Sequence, residues 1–214
     1  MNTAPSLIET GSPDWPESLS NIAGGETYNK FWTIGDQCIL RLRLLAFFCS
    51  MRCPGAVILQ VYDLARALRD AGVPVIGGFH SPMEQECLDL LLRGNQPIAI
   101  CPARSIDRMR IPRPWRHGLA ENQLLVISPF EGKYRRPTTA LAERRNRFVA
   151  AIAAEIFVAH AEPGSKTEQL CQEFLEAGRR VWLLDGSANP QLCERGATPV
   201  TVADLVTHAS PSFE

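Results

Sequence analysis

The residues with the clearest chemical potential are cations set beside turns of small residues. Arg144-Arg145-Asn146-Arg147 runs straight into an apolar segment, and Gly164-Ser165-Lys166-Thr167 follows that segment. Upstream stand Ser50-Met51-Arg52, closed by Pro54-Gly55, and the turn Gly77-Gly78-Phe79-His80-Ser81. The chemistry this combination suits is the binding of an anion, above all phosphate. A helix start exposes unpaired N–H groups and about half a positive charge. Glycine lets the anion approach the backbone, and arginine or lysine neutralises it. The candidate phosphate- or nucleic-acid-binding set is therefore Ser50, Arg52, Gly55, Gly77, Gly78, His80, Ser81, Arg144, Arg145, Asn146, Arg147, Gly164, Ser165, Lys166 and Thr167.

Charge distribution supports a single anion-facing surface. The 214 residues carry a net charge of −1, but residues 104–147 hold 11 of the 22 Lys+Arg and 4 of the 23 Asp+Glu. That segment is +7 and the remainder −8, an asymmetry that steers anions to one side.

Several sharper chemistries are disfavoured. Gly164-Ser165-Lys166-Thr167 imitates the end of a P-loop but lacks adjacent Gly-Lys and the earlier glycine, so ATP hydrolysis is not indicated. No G-x-G-x-x-G follows the first predicted strand, and no G-x-S-x-G elbow occurs. Cys49 and Cys53 have no second Cys/His pair at zinc spacing, so no metal and no cofactor is expected. His117 and His160 lack a partner in sequence that would mark either as a base. Glu84 and Glu168 remain as acid/base candidates should the site be catalytic.

The elements that must position these residues alternate. Apolar runs at 43–50, 73–78, 97–101, 124–128, 155–160 and 180–186 predict buried strands. Helical spacing predicts helices over 57–72, 81–94, 138–153 and 165–178, and residues 198–209 add a short strand and helix. Ser81 with Glu84, and Ser165 with Glu168, have capping-box spacing. Strand–helix alternation with continuous apolar strands predicts an α/β fold: a doubly wound, mostly parallel, Rossmann-like sheet of about six to seven strands with helices on both faces. Ligands of such a sheet sit beyond the carboxyl ends of its strands, where the candidate turns fall. Residues 1–28, rich in Ser, Pro, Gly and Glu, read as a poorly ordered arm, 29–209 as the domain, and 210–214 as a tail. Residues 102–123 form the longest irregular stretch. No apolar run reaches the ~20 residues of a membrane helix, and the N-terminus lacks a secretory signal. Seven cysteines, four of them (Cys49, Cys87, Cys101, Cys171) in apolar segments, fit a reducing cytoplasm.

Over residues 30–187 the chain resembles the Rossmann-like domain of the DNA-processing protein A (DprA/Smf) family. Ser50-Met51-Arg52 stands at that family's Gly-(Ser/Thr)-Arg strand end and Gly77-Gly78-Phe79-His80-Ser81 at its Ser-Gly-x-Ala-Arg turn. Arg144-Arg145-Asn146-Arg147-Phe148-Val149-Ala150-Ala151-Ile152 stands at its Arg-Arg-Asn-Arg helix, the most specific match. Gly164-Ser165 matches its Ser-Gly-Ser turn and Gly178-Arg179-Arg180-Val181 its Gly-Arg-x-Val strand. The resemblance implies a non-catalytic, homodimeric protein that binds single-stranded DNA in a basic pocket and serves a recombinase during DNA uptake. The departure at Phe79–Glu84, which removes the family's arginine and aspartate, marks a divergent member, and the expected lack of the family's winged-helix and preceding helical domains a minimal one. "EPGSKTEQL" also echoes the Pro-Gly-Gly turn of the "lonely guy" phosphoribohydrolases. Two readings are therefore open: single-stranded nucleic-acid binding, and a nucleotide sensor or N-glycosidic hydrolase.

Overall fold

Hydrophobic runs of four to six residues flanked by turn formers become strands, and the longer periodic segments become the helices that cross over them. The computed structural model describes residues 4–20, 27–186 and 189–210. Among the described residues nine strands form one sheet: β1 (Ser6–Glu9), β2 (Lys30–Gly35), β3 (Leu45–Cys49), β4 (Val75–Gly77), β5 (Ile98–Ile100), β6 (Leu124–Ser128), β7 (Glu155–His160), β8 (Val181–Leu184) and β9 (Thr198–Val200). Seven α-helices accompany them among the described residues: α1 (Gly55–Asp70), α2 (Pro82–Leu91), α3 (Trp115–Ala120), α4 (Thr139–Ile152), α5 (Lys166–Glu176), α6 (Pro190–Glu194) and α7 (Val202–Ala209).

The strand order is β1-β2-β6-β5-β4-β3-β7-β8-β9. The seven strands from β6 to β9 are mutually parallel, as predicted, and β2 pairs antiparallel with β6 and β1. The chain winds outward from β3 through β4 and β5 to β6, then returns past its starting strand to β7. The order reverses between β3 and β7, and α4 must span the intervening strands to make that return.

Two apolar layers hold the sheet. On one face α4, α5 and α6 bury Phe148, Leu170, Phe174 and Leu192 together with Ile8, Leu19 and Phe31 from the N-terminal segment. On the other, α1, α2 and α7 bury Val61, Leu64, Cys87, Leu91 and Leu205. All seven cysteines are free thiols, with Cys49, Cys87, Cys101 and Cys171 buried. No helix among the described residues is long and apolar enough to cross a membrane.

The N-terminal segment differs from the expected arm. Residues 6–9 form β1, Trp15 packs against Phe31 at a centroid distance of 5.5 Å, and Ile8 and Leu19 are buried. Tyr28 lies edge-on to Phe148 at 4.9 Å and its hydroxyl donates to the Arg144 carbonyl, 2.9 Å away. These apolar residues are spaced too irregularly to reveal a period, yet each has a place in the core. The irregular stretch 102–123 likewise contains a helix, α3, six residues long with no buried side chain. Residues 1–3, 21–26 and 211–214, part of the expected arm and tail, lie outside the described residues.

Candidate nucleic-acid interface

The expected turns converge on one edge of the sheet, at the carboxyl ends of the parallel strands, but they divide into two regions of opposite character.

The first region lies at the β3/β7 reversal. Here the chain satisfies its own helix starts. Glu84, in the first turn of α2, accepts hydrogen bonds from the backbone N–H of Cys49 (2.9 Å), His80 (2.7 Å) and Ser81 (3.2 Å). The Ser81 hydroxyl accepts from Glu84 N–H in return, which completes the capping box. One buried carboxylate thus caps α2 and ties the β4 turn to the end of β3. Glu168 repeats the arrangement on α5: it accepts from Gly164 N–H at 2.7 Å while Ser165 Oγ accepts from Glu168 N–H. Gly164 has φ +75°, the left-handed conformation the turn requires. Ser50 Oγ accepts from Glu162 N–H at 2.9 Å and lies 3.2 Å from Ser165 Oγ, so the two turns lock together.

The cations of this region are matched as well. Arg52 lies 3.3 Å from Glu162 and Lys166 3.4 Å from Glu143. A cavity of about 310 Å³ here is lined by Cys49, Met51, Asn146, Lys166 and Thr167, with the carboxylates of Glu84 and Glu143. Gly55, at the first position of α1, is exposed. The N–H groups and cations that could meet a phosphate are already engaged by four internal carboxylates: Glu84, Glu143, Glu162 and Glu168. Glu84 and Glu168, the acid/base candidates, are buried and spent on backbone N–H groups. His160, at the end of β7, is buried with Nδ1 unpartnered among the described residues, and burial holds its pKa below the usual histidine value.

The second region lies beyond β4 and β5. A cavity of about 460 Å³ opens there, lined by Gly78, Phe79, His80, Arg104, Trp115, Thr138, Thr139 and Arg145 among others, with no carboxylate in its lining. Arg145 forms part of its floor. Its guanidinium donates to the Cys101 carbonyl at 3.1 Å, and the side chain is only 4% exposed. It fits because Gly78 has no Cβ: one built there falls 1.4 Å from Arg145 Nη1. Gly77 is tight for a different reason, since a Cβ would press on the Phe79 ring at 3.1 Å. Phe79 has φ +48°, unusual for a bulky residue. The bonds from His80 and Ser81 N–H to Glu84 hold the backbone just after it. The amino-terminal end of α4, capped by Thr138, supplies the partial positive charge of a helix start.

The arginine cluster is distributed by helix geometry. Successive residues turn by about 100° around α4, so four in a row cannot share a face. Arg145 borders both cavities, and Asn146 only the smaller one. Arg144 turns toward the N-terminal segment, its guanidinium 5.3 Å from the centre of the Tyr28 ring and 5.9 Å from that of Phe130. Arg147 makes two bonds to Glu173, of 2.7 and 2.8 Å, and fastens α4 to α5. Sequence reasoning brought Gly78, His80 and Arg145 to this cavity and missed Arg104, Trp115, Thr138 and Thr139. The signal available for Arg104 was its place just past β5; for Trp115, its place within the basic stretch. Among the described residues no His/Cys/Asp/Glu cluster is arranged to hold a metal ion.

Set against known proteins, the chain matches the family model for DNA recombination-mediator protein A over residues 6–210. No curated protein matches it. Its fold is similar to that of DNA processing protein A from Streptococcus pneumoniae, with a TM-score of 0.77 and 18% identity over 95% of this chain and 74% of that one. It is equally similar to the protein of that name from Helicobacter pylori, whose structure describes its single-stranded DNA binding mode. That comparison gives a TM-score of 0.76 and 17% identity over 97% of this chain and 96% of the other. A more distant likeness, TM-score 0.51 and 12% identity over 77% of this chain and 94% of the other, is to the molybdenum cofactor carrier protein of Chlamydomonas reinhardtii.

Proposed function

The chain belongs to the DNA recombination-mediator protein A family, and from that premise we propose that it binds single-stranded DNA across the carboxyl edge of its sheet as a non-catalytic component of DNA processing. The observation that carries this reading is the cavity beyond β4 and β5. It combines Arg104, Arg145 and the amino-terminal end of α4, and contains no lining carboxylate. An anionic polymer meets net positive charge there, whereas at the β3/β7 end it meets cations already paired. Ser50, Gly55, Gly77, Ser81, Gly164, Ser165 and Thr167 then serve mainly to shape the edge. Arg52 and Lys166, exposed but balanced by Glu162 and Glu143, border the path and add little to it.

Family membership also supports a cytoplasmic homodimer that passes its strand to a recombinase. The hydrolase alternative is weaker, because Glu84 and Glu168 are both held by backbone N–H groups rather than pointed at a bound nucleotide.

The test is a fluorescence-anisotropy titration with a short single strand. Affinity is expected to fall steeply between about 50 and 200 mM salt, because each neutralised phosphate releases counterions. Duplex of the same sequence is expected to bind more weakly. Absence of binding at the lower salt concentration overturns the reading.

A further inference from the structure

Residues 104–116, between β5 and the start of α3, carry five arginines (Arg104, Arg108, Arg110, Arg113 and Arg116) and a single acid, Asp107. The loop has apolar anchors of its own. Ile106 and Ile111 are buried, and Met109 and Trp115 pack partly against the same core, which turns the arginines between them outward. Arg104 is half-buried in the wall of the larger cavity, whereas Arg108, Arg110, Arg113 and Arg116 are exposed and lie outside its lining. The backbone is held in shape. Ser105 N–H donates to the Tyr134 carbonyl at 2.7 Å, Met109 N–H to the Ile106 carbonyl at 3.1 Å and Trp115 N–H to the Pro112 carbonyl at 3.1 Å. Pro112 and Pro114 fix their own φ angles. None of the five guanidinium groups has an ion-pair or hydrogen-bond partner among the described residues, whereas Arg52, Arg147 and Lys166 each meet a carboxylate.

Unpaired like charges held in one ordered loop repel each other, and a polyanion relieves that repulsion. The loop presents no exposed aromatic ring, because its one aromatic residue, Trp115, packs against the core. Such a surface can hold phosphates but has nothing on which an unstacked base could lie. A duplex, with its bases hidden and its phosphates closely spaced, is the nucleic acid that suits it. The loop leaves the cavity at Arg104 and returns to it at Trp115, so its outer face adjoins the sheet edge. Resting on the single-stranded DNA reading above, we propose that Arg108, Arg110, Arg113 and Arg116 form a second, backbone-only contact that takes the double-stranded flank of the bound strand. The preferred ligand is then a junction, with single strand along the sheet edge and duplex against the arginine loop.

The experiment measures anisotropy with a short single strand, a blunt duplex, and the same strand joined to that duplex. It uses the wild-type chain and a quadruple variant, Arg108→Gln, Arg110→Gln, Arg113→Gln and Arg116→Gln. The wild-type chain is expected to bind the tailed duplex about tenfold more tightly than the single strand, with the blunt duplex weakest. The variant is expected to lose that gain and keep its affinity for the single strand. Its salt dependence on the tailed duplex is expected to flatten by about three to four phosphate contacts. Equal wild-type affinity for the tailed duplex and the single strand overturns the proposal and leaves the single-strand reading intact. A variant that loses affinity for both probes in equal proportion does the same. Wild-type binding to phosphatidylserine vesicles that the variant lacks, with no gain from the duplex, assigns the loop to a membrane surface and also overturns it. A wild-type chain that binds neither the single strand nor the tailed duplex overturns the single-strand reading and the junction together.

Discussion

The β3/β7 end and the β4/β5 end of the same sheet edge are built from similar parts and behave oppositely. Both have strand ends feeding small turns, and both have cations within reach. At the β3/β7 end the chain places carboxylates on its own helix starts, so Glu84 and Glu168 sit where an external anion would otherwise sit. At the β4/β5 end the corresponding space is left open, and Arg145, seated on Gly78, meets no carboxylate in that cavity, although it also borders the smaller one, which Glu84 and Glu143 line. A glycine turn before a capped helix is therefore not yet an anion site. What decides is whether the third residue of the helix is an acid that reaches back.

The comparison can be broken most forcefully at Glu84. Glu84→Ala removes the acceptor for three backbone N–H groups, two of them from buried residues. It is expected to lower folding stability by about 3–5 kcal/mol, read from a urea titration. A loss below about 1 kcal/mol would show that the first region is not held by its carboxylates. Gly78→Ala attacks the open region instead. The new methyl must displace the Arg145 guanidinium, at an expected cost of about 1–3 kcal/mol in stability together with loss of single-strand binding. Unchanged binding in that variant would remove Arg145 from the interface. The smallest effects sharpen the contrast. Arg104→Ala is expected to weaken single-strand binding by about 1 kcal/mol and flatten its salt dependence by about one phosphate contact. Lys166→Ala, whose charge Glu143 already balances, is expected to change affinity less than about twofold. The reverse ranking, measured by anisotropy at one salt concentration, would place the DNA at the other end of the edge.

The parallel core of the fold was legible because strands buried on both faces must be continuously apolar, as in Leu45–Cys49 and Leu124–Ser128. The antiparallel strands β1 and β2 were not. β1 is four residues long with one buried position, and β2 mixes buried and half-buried residues with a terminal glycine. Helix α3 has no fully buried residue, and only Trp115 and Leu119 pack partly against the core, too few to show a period.

In the site, Arg145 and Gly78 were visible as residue types, but their mutual fit was not. It depends on α4 crossing the sheet so that a side chain of one helix fills the missing Cβ of a distant turn. The same limit applied to Glu84. Its capping box with Ser81 is a local pattern, but its bond to Cys49, 35 residues away, exists only after β3 and β4 have paired. Arg147 looked like a phosphate contact and became a clamp, because nothing in its own stretch announces that Glu173 will lie opposite.

The loop between β5 and α3 contributes Arg104 and leads into Trp115, yet it takes no part in the Glu84 and Glu168 turns. Residues Gly78, Phe79 and His80 belong to the cavity and to the Glu84 turn alike, whereas Arg104 and Trp115 belong to the cavity only. Exchange of the Arg104 and Trp115 side chains would give the edge a different appetite, while the buried Ile106 and Ile111 between them, and the joints that keep the edge in shape, pass on unaltered.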